Sequence, residues 1–317
     1  MRDDQYQYVR LSDANIAHLV QLMNTVYGSD TDLDTLRRKY ATAALGGRYI
    51  GFLAYARGQS EAAAYYGVFP LRIRFGNEEL LGSQSGDTMT HPAHRGKGLF
   101  VNLARQTYEL AQAEGITCVF GFPNPASYSG FVKNLGWLKA YDMVAINIVT
   151  PTVPLALLAK KIAWVGRIQR ALLSRLLRAS FDLAPADAMQ LSSVAVAGAP
   201  GVLRDAAFCD YKSANCLVLR NGKATLIVKH DGDISVGELV DTGDGSDARR
   251  AVRKLRWIGA LLGMPRIKSY ASPNSALHAL LSQSGFCKTS LAYGYRDFST
   301  GHDLSKLQFT YVDYDTF

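Results

Sequence analysis

The alternation of apolar and polar residues predicts strands and helices in turn along the first part of the chain. Tyr6–Leu11 has the pattern of a strand, and Ser12 or Asp13 can cap the helix that follows. That helix and a shorter one after it place their apolar residues at helical spacing. These residues are Ile16, Leu19, Val20, Leu22 and Met23 in the first helix, and Leu33, Leu36 and Tyr40 in the second.

Several strands are predicted before Pro92. Arg48–Ala56 and Ala62–Phe69 are two of them, and Pro70 is expected to interrupt the second because proline has no backbone N–H. A hairpin closed at Gly76-Asn77 joins segments 71–75 and 80–84. A further strand, which we take as central, ends at Pro92. After the next helix an apolar strand runs over Ile116–Phe122.

The composition changes after Thr150. Pro151 and Pro154 mark a boundary, and Leu155–Ser180 then has a helical pattern that Gly166 could break in two. This segment is basic and contains no acidic residue, so it can lie on an anionic membrane surface. Alternatively, it is a linker helix that packs its apolar stripe against the two domains. The stripe consists of Leu155, Leu158, Ile162, Val165, Ile168, Leu172 and Leu176.

The second half repeats the order of predicted elements found in the first. Two strands, 216–220 and 223–229, are joined by Asn221-Gly222, a strong hairpin signal, and Ile234–Asp241 is the next strand. A helix over 248–262, a strand over 266–271 and a helix over 274–284 follow. We therefore predict an internal duplication, with an unrelated α/β partner domain as the alternative. The predicted ranges are 1–150, a basic linker at 151–185, and 186–317.

Composition and charge narrow the possible partners. The 317 residues include 35 Lys and Arg against 27 Asp and Glu, for a net charge of +8. This excess suits an anionic small molecule, and without a basic tract interleaved with aromatics we expect no nucleic-acid partner. The four cysteines have no metal-binding spacing, so no metal is expected, and a reducing cytoplasm fits them. The polar N-terminus lacks the apolar stretch of a signal peptide, and no apolar run is long enough to span a bilayer.

The turn Arg95-Gly96-Lys97-Gly98 lies between the strand ending at Pro92 and a helix that begins at Leu99. Free backbone N–H groups and the positive end of the helix dipole make such a helix start an anion site. Glycines let a phosphate approach the backbone closely. A pyrophosphate is the natural guest, and the alternative is a tight basic turn with no ligand.

Three motifs in order resemble those of the GNAT superfamily of acyl-CoA N-acyltransferases over roughly residues 6–150. The family's pyrophosphate loop, Q/R-x-x-G-x-G/A, is matched at 93–98 except that Ala93 replaces Q/R. The strand before it and the Asn124…Gly136-Trp137 segment also fit. The resemblance implies an α/β fold with a central splayed mixed sheet flanked by helices, and acetyl-CoA as co-substrate. The implied cofactor-binding residues are Thr88, Met89, Thr90, Arg95, Gly96, Lys97, Gly98, Leu99, Phe100 and Asn124.

The same resemblance implies direct attack of an amine on the thioester. Asp87 or His91 is the candidate base, directly or through a water. In a regular strand Asp87 and Thr88 face opposite ways, and a bulge would alter that. The family's usual tyrosine acid is replaced by Val132, so we take Tyr128, one helical turn earlier, as the substitute. Each of these side chains has a structural alternative, as a strand-end, packing or cofactor-edge residue.

The predicted function is thus a cytoplasmic acetyl-CoA-dependent N-acetyltransferase acting on a small-molecule amine. An amino sugar, an amino acid and an aminoglycoside-like compound all remain open. The first two helices are the implied acceptor wall, with Tyr27 and the acidic residues of 30–34 as candidate contacts. Aspartates in the loop 241–247 would repel a pyrophosphate, so the second copy is expected to bind no CoA. The alternatives are a non-catalytic acyl-CoA sensor, or a longer-chain acyltransferase docked on a membrane through 155–180.

Overall fold

The computed structural model describes residues 5–152, 163–230 and 233–317. The chain divides into two compact units. Unit 1 consists of residues 1–73, 77–141 and 292–305, and unit 2 of residues 74–76, 142–291 and 306–317. The ranges predicted from the sequence are contiguous, whereas each unit here takes in a segment from the other half of the chain.

Unit 1 is a mixed sheet flanked by helices, which confirms the predicted α/β class. Its strands occur in the order β1-β2-β3-β4-β5-β13, and β5 is parallel to β4. The elements are β1 (Tyr6–Arg10), α1 (Ile16–Tyr27), α2 (Leu33–Lys39), β2 (Ile50–Ala56), β3 (Ala62–Phe75), β4 (Glu78–Thr90), α3 (Leu99–Ala113), β5 (Cys118–Gly121), α4 (Pro125–Leu135) and the end of β13 (Phe286–Asp297).

Two apolar cores hold the helices of unit 1 against its sheet. One gathers α1 and α2 around Leu19, Leu36 and Leu53, all at most 1% exposed. The other packs α3 and α4 on the sheet around Leu103, Tyr108 and other buried side chains. The caps of these helices differ in part from the predictions, because α1 begins after Asn15 rather than after Ser12 or Asp13. Asn15 Oδ1 instead accepts a hydrogen bond from the backbone N of Ser12 at 2.8 Å.

Pro70 does not interrupt its strand, so that prediction is wrong. β3 runs without a break from Ala62 to Phe75. Its pairing with β2 ends at Val68, which is opposite Ile50. Pro70 therefore lies beyond the last β2 pair, where its missing N–H breaks no hydrogen bond to that strand. The hairpin between β3 and β4 turns at Gly76-Asn77, as predicted.

Unit 2 has a mixed sheet in the order β6-β12-β11-β10-β9-β7. β11 and β12 are parallel, and β6 is antiparallel to β12. The elements are β6 (Leu138–Val149), α5 (Ala163–Ser180), β7 (Asp182–Leu183), α6 (Ser193–Val196), β8 (Gly201–Val202), α7 (Ala206–Ser213), β9 (Leu217–Asn221), β10 (Ala224–Lys229), β11 (Ile234–Asp241), α8 (Ser246–Leu261), β12 (Arg266–Ala271) and α9 (Ala276–Ser282).

The two units share one sequence of elements. In unit 1 three antiparallel strands precede a long helix, a parallel strand and a second helix, and in unit 2 the series β9-β10-β11-α8-β12-α9 repeats it. The strand beside the parallel one is exchanged. β13, which follows α9, pairs with β5, whereas β6, which follows α4, pairs with β12. This topology supports the predicted duplication, which stays a prediction.

A fully buried charge network fixes the C-terminal segment of unit 2. The Arg204 guanidinium lies 2.8 Å from Glu238 and 3.1 Å from Asp313, and all three side chains are at most 2% exposed. Arg204 also donates to Thr310 Oγ1 at 2.7 Å. Burial of charge requires this pairing, because an unpaired buried ion costs several kcal/mol.

The predicted helix Leu155–Ser180 is present over its described part, and its residues 155–162 lie outside the described residues. α5 continues through Gly166, so that glycine does not divide it. Two members of the predicted stripe, Ile168 and Leu172, are exposed. Leu173 and Leu177, one position further along the chain, are buried instead. Leu176, which belongs to the predicted stripe, does pack against this core, so the buried face overlaps the predicted stripe only in part.

Candidate functional site

The site begins where β4 separates from β5. Their registered pairs are Gly82–Cys118, Ser83–Val119 and Gln84–Phe120. β4 continues to Thr90 without a further β5 partner, and Gly121 at the end of β5 pairs with Gly294 of β13. An opening therefore forms between two parallel strands, next to the start of α3. The splayed strand pair implied by the resemblance is confirmed.

The turn at Gly96 and Gly98 has the geometry predicted for an anion site. Both glycines are left-handed, with φ of 74° and 77°, and a Cβ at either position would meet no atom within 4 Å. Gly98 is the N-cap residue that precedes α3, and no side chain caps the helix there. The helix start is thus left with free N–H donors. Glycine is required by the backbone angle at these positions, because the surrounding space is open.

The other predicted cofactor residues of this turn divide into side chains that face outward and side chains that are buried. Arg95 and Lys97 are exposed, and Arg95 Nε donates to the Thr90 carbonyl at 3.4 Å. Leu99 is 2% exposed, and the ring of Phe100 lies 5.0 Å from that of Phe131. Leu99 can therefore offer a ligand only its main-chain atoms, whereas Phe100 is half-buried.

The segment 88–90 of β4 presents a similar division. The Met89 side chain is buried in the core beside α1 and α2. The Thr88 carbonyl accepts a hydrogen bond from the Tyr27 hydroxyl at 3.1 Å, so Tyr27, a predicted acceptor contact, does lie next to β4. Any contact of Met89 with a pantetheine arm would be through its backbone.

Asp87 leaves the regular path of the strand. Its φ is +53°, in the left-handed region that few residues other than glycine adopt. The backbone at Asp87 therefore departs from that of a regular strand, so strand parity does not decide which way this side chain points. Its carboxylate is 2.6 Å from Lys39 Nζ and 3.0 Å from the Tyr40 hydroxyl. The side chains of Lys39 and Asp87 are only 23% and 11% exposed, which makes this a partly buried ion pair.

Lys39 and Tyr40 were not among the predicted site residues. Both stand at the end of α2, 48 and 47 residues before Asp87, so no local pattern links them. Burial, and next to it the Asp87 charge, raise the pKa of Tyr40 well above its ordinary value. Tyr40 is thus a neutral hydrogen-bond donor at any physiological pH. An aromatic side chain immediately after a basic helix end was the only sequence signal available.

Two histidines lie between β4 and the glycine turn. His91 caps the short 3₁₀ helix Pro92–His94, and its Nδ1 accepts from the Ala93 backbone at 3.3 Å. His94 Nδ1 lies 2.8 Å from the Tyr6 hydroxyl, and its ring is 5.7 Å from that of His91. Burial, Lys97 and His91 together lower the pKa of His94. The structural alternative predicted for His91 fits this capping contact.

The residues predicted on the other side of the opening belong to α4. Asn124 is the N-cap, and its Oδ1 accepts from the Ser127 backbone at 3.0 Å. Its side-chain amide N–H groups remain to serve a ligand. Tyr128 is half-buried on the same helix, and among the described residues its hydroxyl has no hydrogen-bond partner. Val132 is 37% exposed.

The corresponding helix of unit 2 starts from the same backbone geometry and is capped differently. Gly245 has φ 78° and ψ 0°, against 77° and 4° for Gly98. In unit 2, however, Asp241 Oδ2 accepts from the Ala248 backbone N at 2.9 Å. Asp244 Oδ1 accepts from the Ser246 backbone N, also at 2.9 Å. The protein's own carboxylates occupy the donors that a phosphate would use.

Within the described residues, no group of three or more His, Cys, Asp and Glu side chains could hold a metal ion. Cys118 is buried in β5, and burial raises its pKa to about 12, so it stays a protonated, unreactive thiol. In the same part of the chain, none of the helices has the length and apolar content needed to cross a membrane.

A basic glycine turn at the start of α3, beside two splayed parallel strands, is the arrangement of an acyltransferase that uses an acyl thioester of coenzyme A. Residues 7–140 match the family model described as "Acetyltransferase (GNAT) domain". These residues therefore form a GNAT acetyltransferase domain, and the chain is an acyltransferase by virtue of it.

Solved structures of the same fold extend the likeness to the whole chain. A GCN5-related N-acetyltransferase from Kribbella flavida is 15% identical with a TM-score of 0.61, over 92% of this chain and 71% of its own. One from Anabaena variabilis is 14% identical with a TM-score of 0.57, over 93% and 73%. A putative acetyltransferase from Pyrococcus horikoshii is 12% identical with a TM-score of 0.58, over 98% and 95%. No curated protein sequence matches the chain. At these identities the structures establish the fold alone.

Proposed function

We propose that unit 1 transfers an acetyl group from acetyl-CoA to the primary amine of a small molecule. The uncapped helix start at Gly98 carries this proposal, because it offers backbone donors and two exposed cations to a pyrophosphate. The opening between β4 and β5 would admit the pantetheine arm. At the unit 2 helix start, aspartates already accept from the backbone N–H groups of Ser246 and Ala248, so we place the cofactor in unit 1 only.

In the proposed reaction the neutral amine attacks the thioester carbonyl carbon. The carbon–sulfur bond breaks, the amine loses a proton to a base, and the CoA thiolate takes up a proton. Main-chain N–H groups around Thr88–Thr90 would stabilise the developing oxyanion. Tyr128 is the candidate acid for the thiolate, since its half-buried hydroxyl lies on the helix that starts at the opening.

The contacts of Asp87 argue against this carboxylate as the direct base. A carboxylate that already accepts from an ammonium at 2.6 Å and a phenol at 3.0 Å must give up part of this pairing to take a proton. We therefore favour a route in which the amine proton passes to a water, with His91 as the other candidate to receive it. In that route Asp87 holds the geometry of β4. The same contacts favour the second candidate function, a non-catalytic acyl-CoA sensor.

We propose a cytoplasmic location and a cationic acceptor on chemical grounds. Acetyl-CoA is a cytoplasmic metabolite, and the four cysteines are free thiols, which suits a reducing compartment. The acceptor wall of α1 and α2 presents Tyr27 and the carboxylates of 30–34. Carboxylates of this segment, where they face the acceptor, would favour a cationic one such as an amino sugar or an aminoglycoside-like amine.

The test is calorimetric titration of acetyl-CoA together with a thiol-release assay over a panel of amines. Gly96→Glu introduces a strained, negatively charged residue into the turn and is expected to abolish binding. Gly58→Glu is the matched control, because Gly58 is also left-handed, with φ of 78°, and has open space around it. Its binding should equal that of the wild type.

The outcomes separate the two functions. Binding that Gly96→Glu removes, with thiol release on some amine, supports an acetyltransferase. Binding without turnover on any amine would favour the sensor. If acetyl-CoA does not bind to the wild type, or binds equally to Gly96→Glu, the glycine turn is not the cofactor site.

A further inference from the structure

Two neighbouring helices of unit 2 expose large apolar side chains. On α5, Trp164 is 60% exposed, with Ile168 and Leu172 at the next two helical turns. On α8, Trp257 is 71% exposed and Leu261 is exposed beside it. Trp137, by contrast, is buried. Burying a tryptophan removes a large apolar surface from water, so leaving two of them outside points to a binding surface.

The exposure of these residues is fixed by the way the two helices are anchored. α5 faces the core through Leu173 and Leu177, which are fully buried. Gln169 Nε2 donates to the Leu262 carbonyl at 2.7 Å, just past the end of α8. Lys254 Nζ donates to the Ser180 carbonyl at 2.8 Å. With that side of α5 bonded to the unit, Trp164, Ile168 and Leu172 cannot rotate inward without breaking it.

The same surface is strongly basic. α5 carries no acidic residue and exposes four arginines, at positions 167, 170, 175 and 178. Arg253 and Arg256 stand on α8 with Trp257, and together with Pro151 they line a hollow. Asp247 is the only acid of α8, and it is in the first turn, where it faces Arg250 at 3.4 Å. The next acid after α5 is Asp182 in β7.

We propose that this surface docks onto an anionic lipid bilayer. We call it the Trp–Arg face and define it by Trp164, Ile168, Leu172 and Arg167 of α5 and Trp257 and Arg253 of α8. Arginine attracts anionic headgroups, tryptophan favours the interfacial region, and aliphatic side chains insert below it. The proposal concerns location and does not rest on the acyl-transfer reaction.

Other occupants fit these residues less well. A nucleic acid would be served by the arginines, but Ile168, Leu172 and Leu261 offer it neither stacking nor hydrogen bonds. A symmetric contact with a second copy of the chain would set the arginines of α5 against one another. A bilayer uses both the charge and the aliphatic residues.

The experiment is co-sedimentation of the full chain with vesicles of phosphatidylcholine alone and of phosphatidylcholine with phosphatidylserine. Binding is expected to be at least about tenfold stronger to the anionic vesicles and to weaken with added salt. Tryptophan emission should shift to shorter wavelength on binding, because Trp164 and Trp257 leave water. Both signals are recorded on the protein without substrate.

Variants assign the binding to the face. Trp164→Ala combined with Trp257→Ala should lower the partition coefficient by about tenfold or more and abolish the emission shift. Arg167→Gln combined with Arg253→Gln should lower it by about 25-fold, since each arginine contributes about fivefold. Arg57→Gln combined with Arg105→Gln makes the same change in net charge on unit 1 and should retain binding within about twofold. All of these residues are exposed, and an unchanged melting temperature confirms folding.

Three results would overturn the proposal. One is the absence of binding to anionic vesicles. Another is equal loss in the Arg167/Arg253 variant and its unit 1 control, which would mean that only net charge matters. The third is a dimer, or a nucleic-acid complex, that the tryptophan variant disrupts while vesicle binding stays as it was.

Discussion

The ion pair between Asp87 and Lys39 should support both the shape of β4 and the rate of acyl transfer. Asp87→Asn removes the charge and keeps a residue that tolerates the left-handed region, here at φ of 53°. Lys39→Met removes the other partner and keeps its apolar stem. The double variant completes the cycle, and it isolates the pair from other effects of each change.

The magnitude follows from the burial of the pair. Exposed ion pairs contribute ~0.2–1 kcal/mol, and breaking a fully buried one costs about 3–5 kcal/mol. With side chains 23% and 11% exposed and a separation of 2.6 Å, this pair lies between the two cases. We expect each single variant to lower the free energy of unfolding by about 1–3 kcal/mol, with a coupling of about 1–2 kcal/mol. Urea denaturation of the four proteins measures it.

Kinetics on the same four proteins decide what Asp87 does. If it holds β4 in place, Lys39→Met should lower kcat nearly as much as Asp87→Asn, and the double variant should add little. A direct base would give a different result, because its loss lowers kcat by about 10²–10⁴-fold whether Lys39 is present or not. A coupling below about 0.3 kcal/mol, or normal kcat in Lys39→Met, would refute the positioning role.

Three further predictions concern other parts of the molecule. A fragment of residues 1–150 lacks residues 292–305, which include the part of β13 that pairs with β5. It should show no cooperative thermal unfolding by near-ultraviolet circular dichroism, and a sharp transition would contradict this. Acetyl-CoA should bind more tightly as pH falls below 6.5, the ordinary pKa of histidine, because a bound anion raises the pKa of His94, which is lowered in the free protein. His94→Asn should lose that part of the pH dependence measured by calorimetry, and affinities that change with pH in parallel for variant and wild type would refute the prediction. Arg204→Met leaves two buried carboxylates without a counter-charge and should cost about 3–5 kcal/mol in urea denaturation, against under about 0.5 for the exposed Arg220→Met; equal losses would contradict the role of the network.

Local chemistry made part of this structure predictable from sequence. Gly96 and Gly98 between an extended run and a helical pattern define a left-handed turn, and Asn221-Gly222 defines a hairpin, because in each case the backbone angles select the residue. The helices α1, α2 and α3 follow from the spacing of their apolar residues. These signals act within a few residues, so a single sequence contains them.

Features that depend on partners distant in the chain could not be predicted from local sequence patterns. Pro70 continues its strand because β2 ends two residues earlier in register, which no local rule reveals. Asp87 is held by a side chain 48 residues away. The buried face of α5 differs from the predicted one because the helix carries apolar residues both at 168 and 172 and at 173 and 177. Only packing decides which pair is buried.

The exchange of β6 and β13 has a consequence for the nascent chain during its synthesis. A ribosome releases residues in order, so α3, β5 and α4 emerge well before residues 292–305, the segment that completes their sheet. Until that segment arrives, the edge of β5, with its apolar residues Cys118, Val119 and Phe120, lacks its neighbouring strand. Open edges of this kind recruit other strands. We therefore expect the sheet of the acyltransferase domain to stay open at this edge until nearly the whole chain has been synthesised.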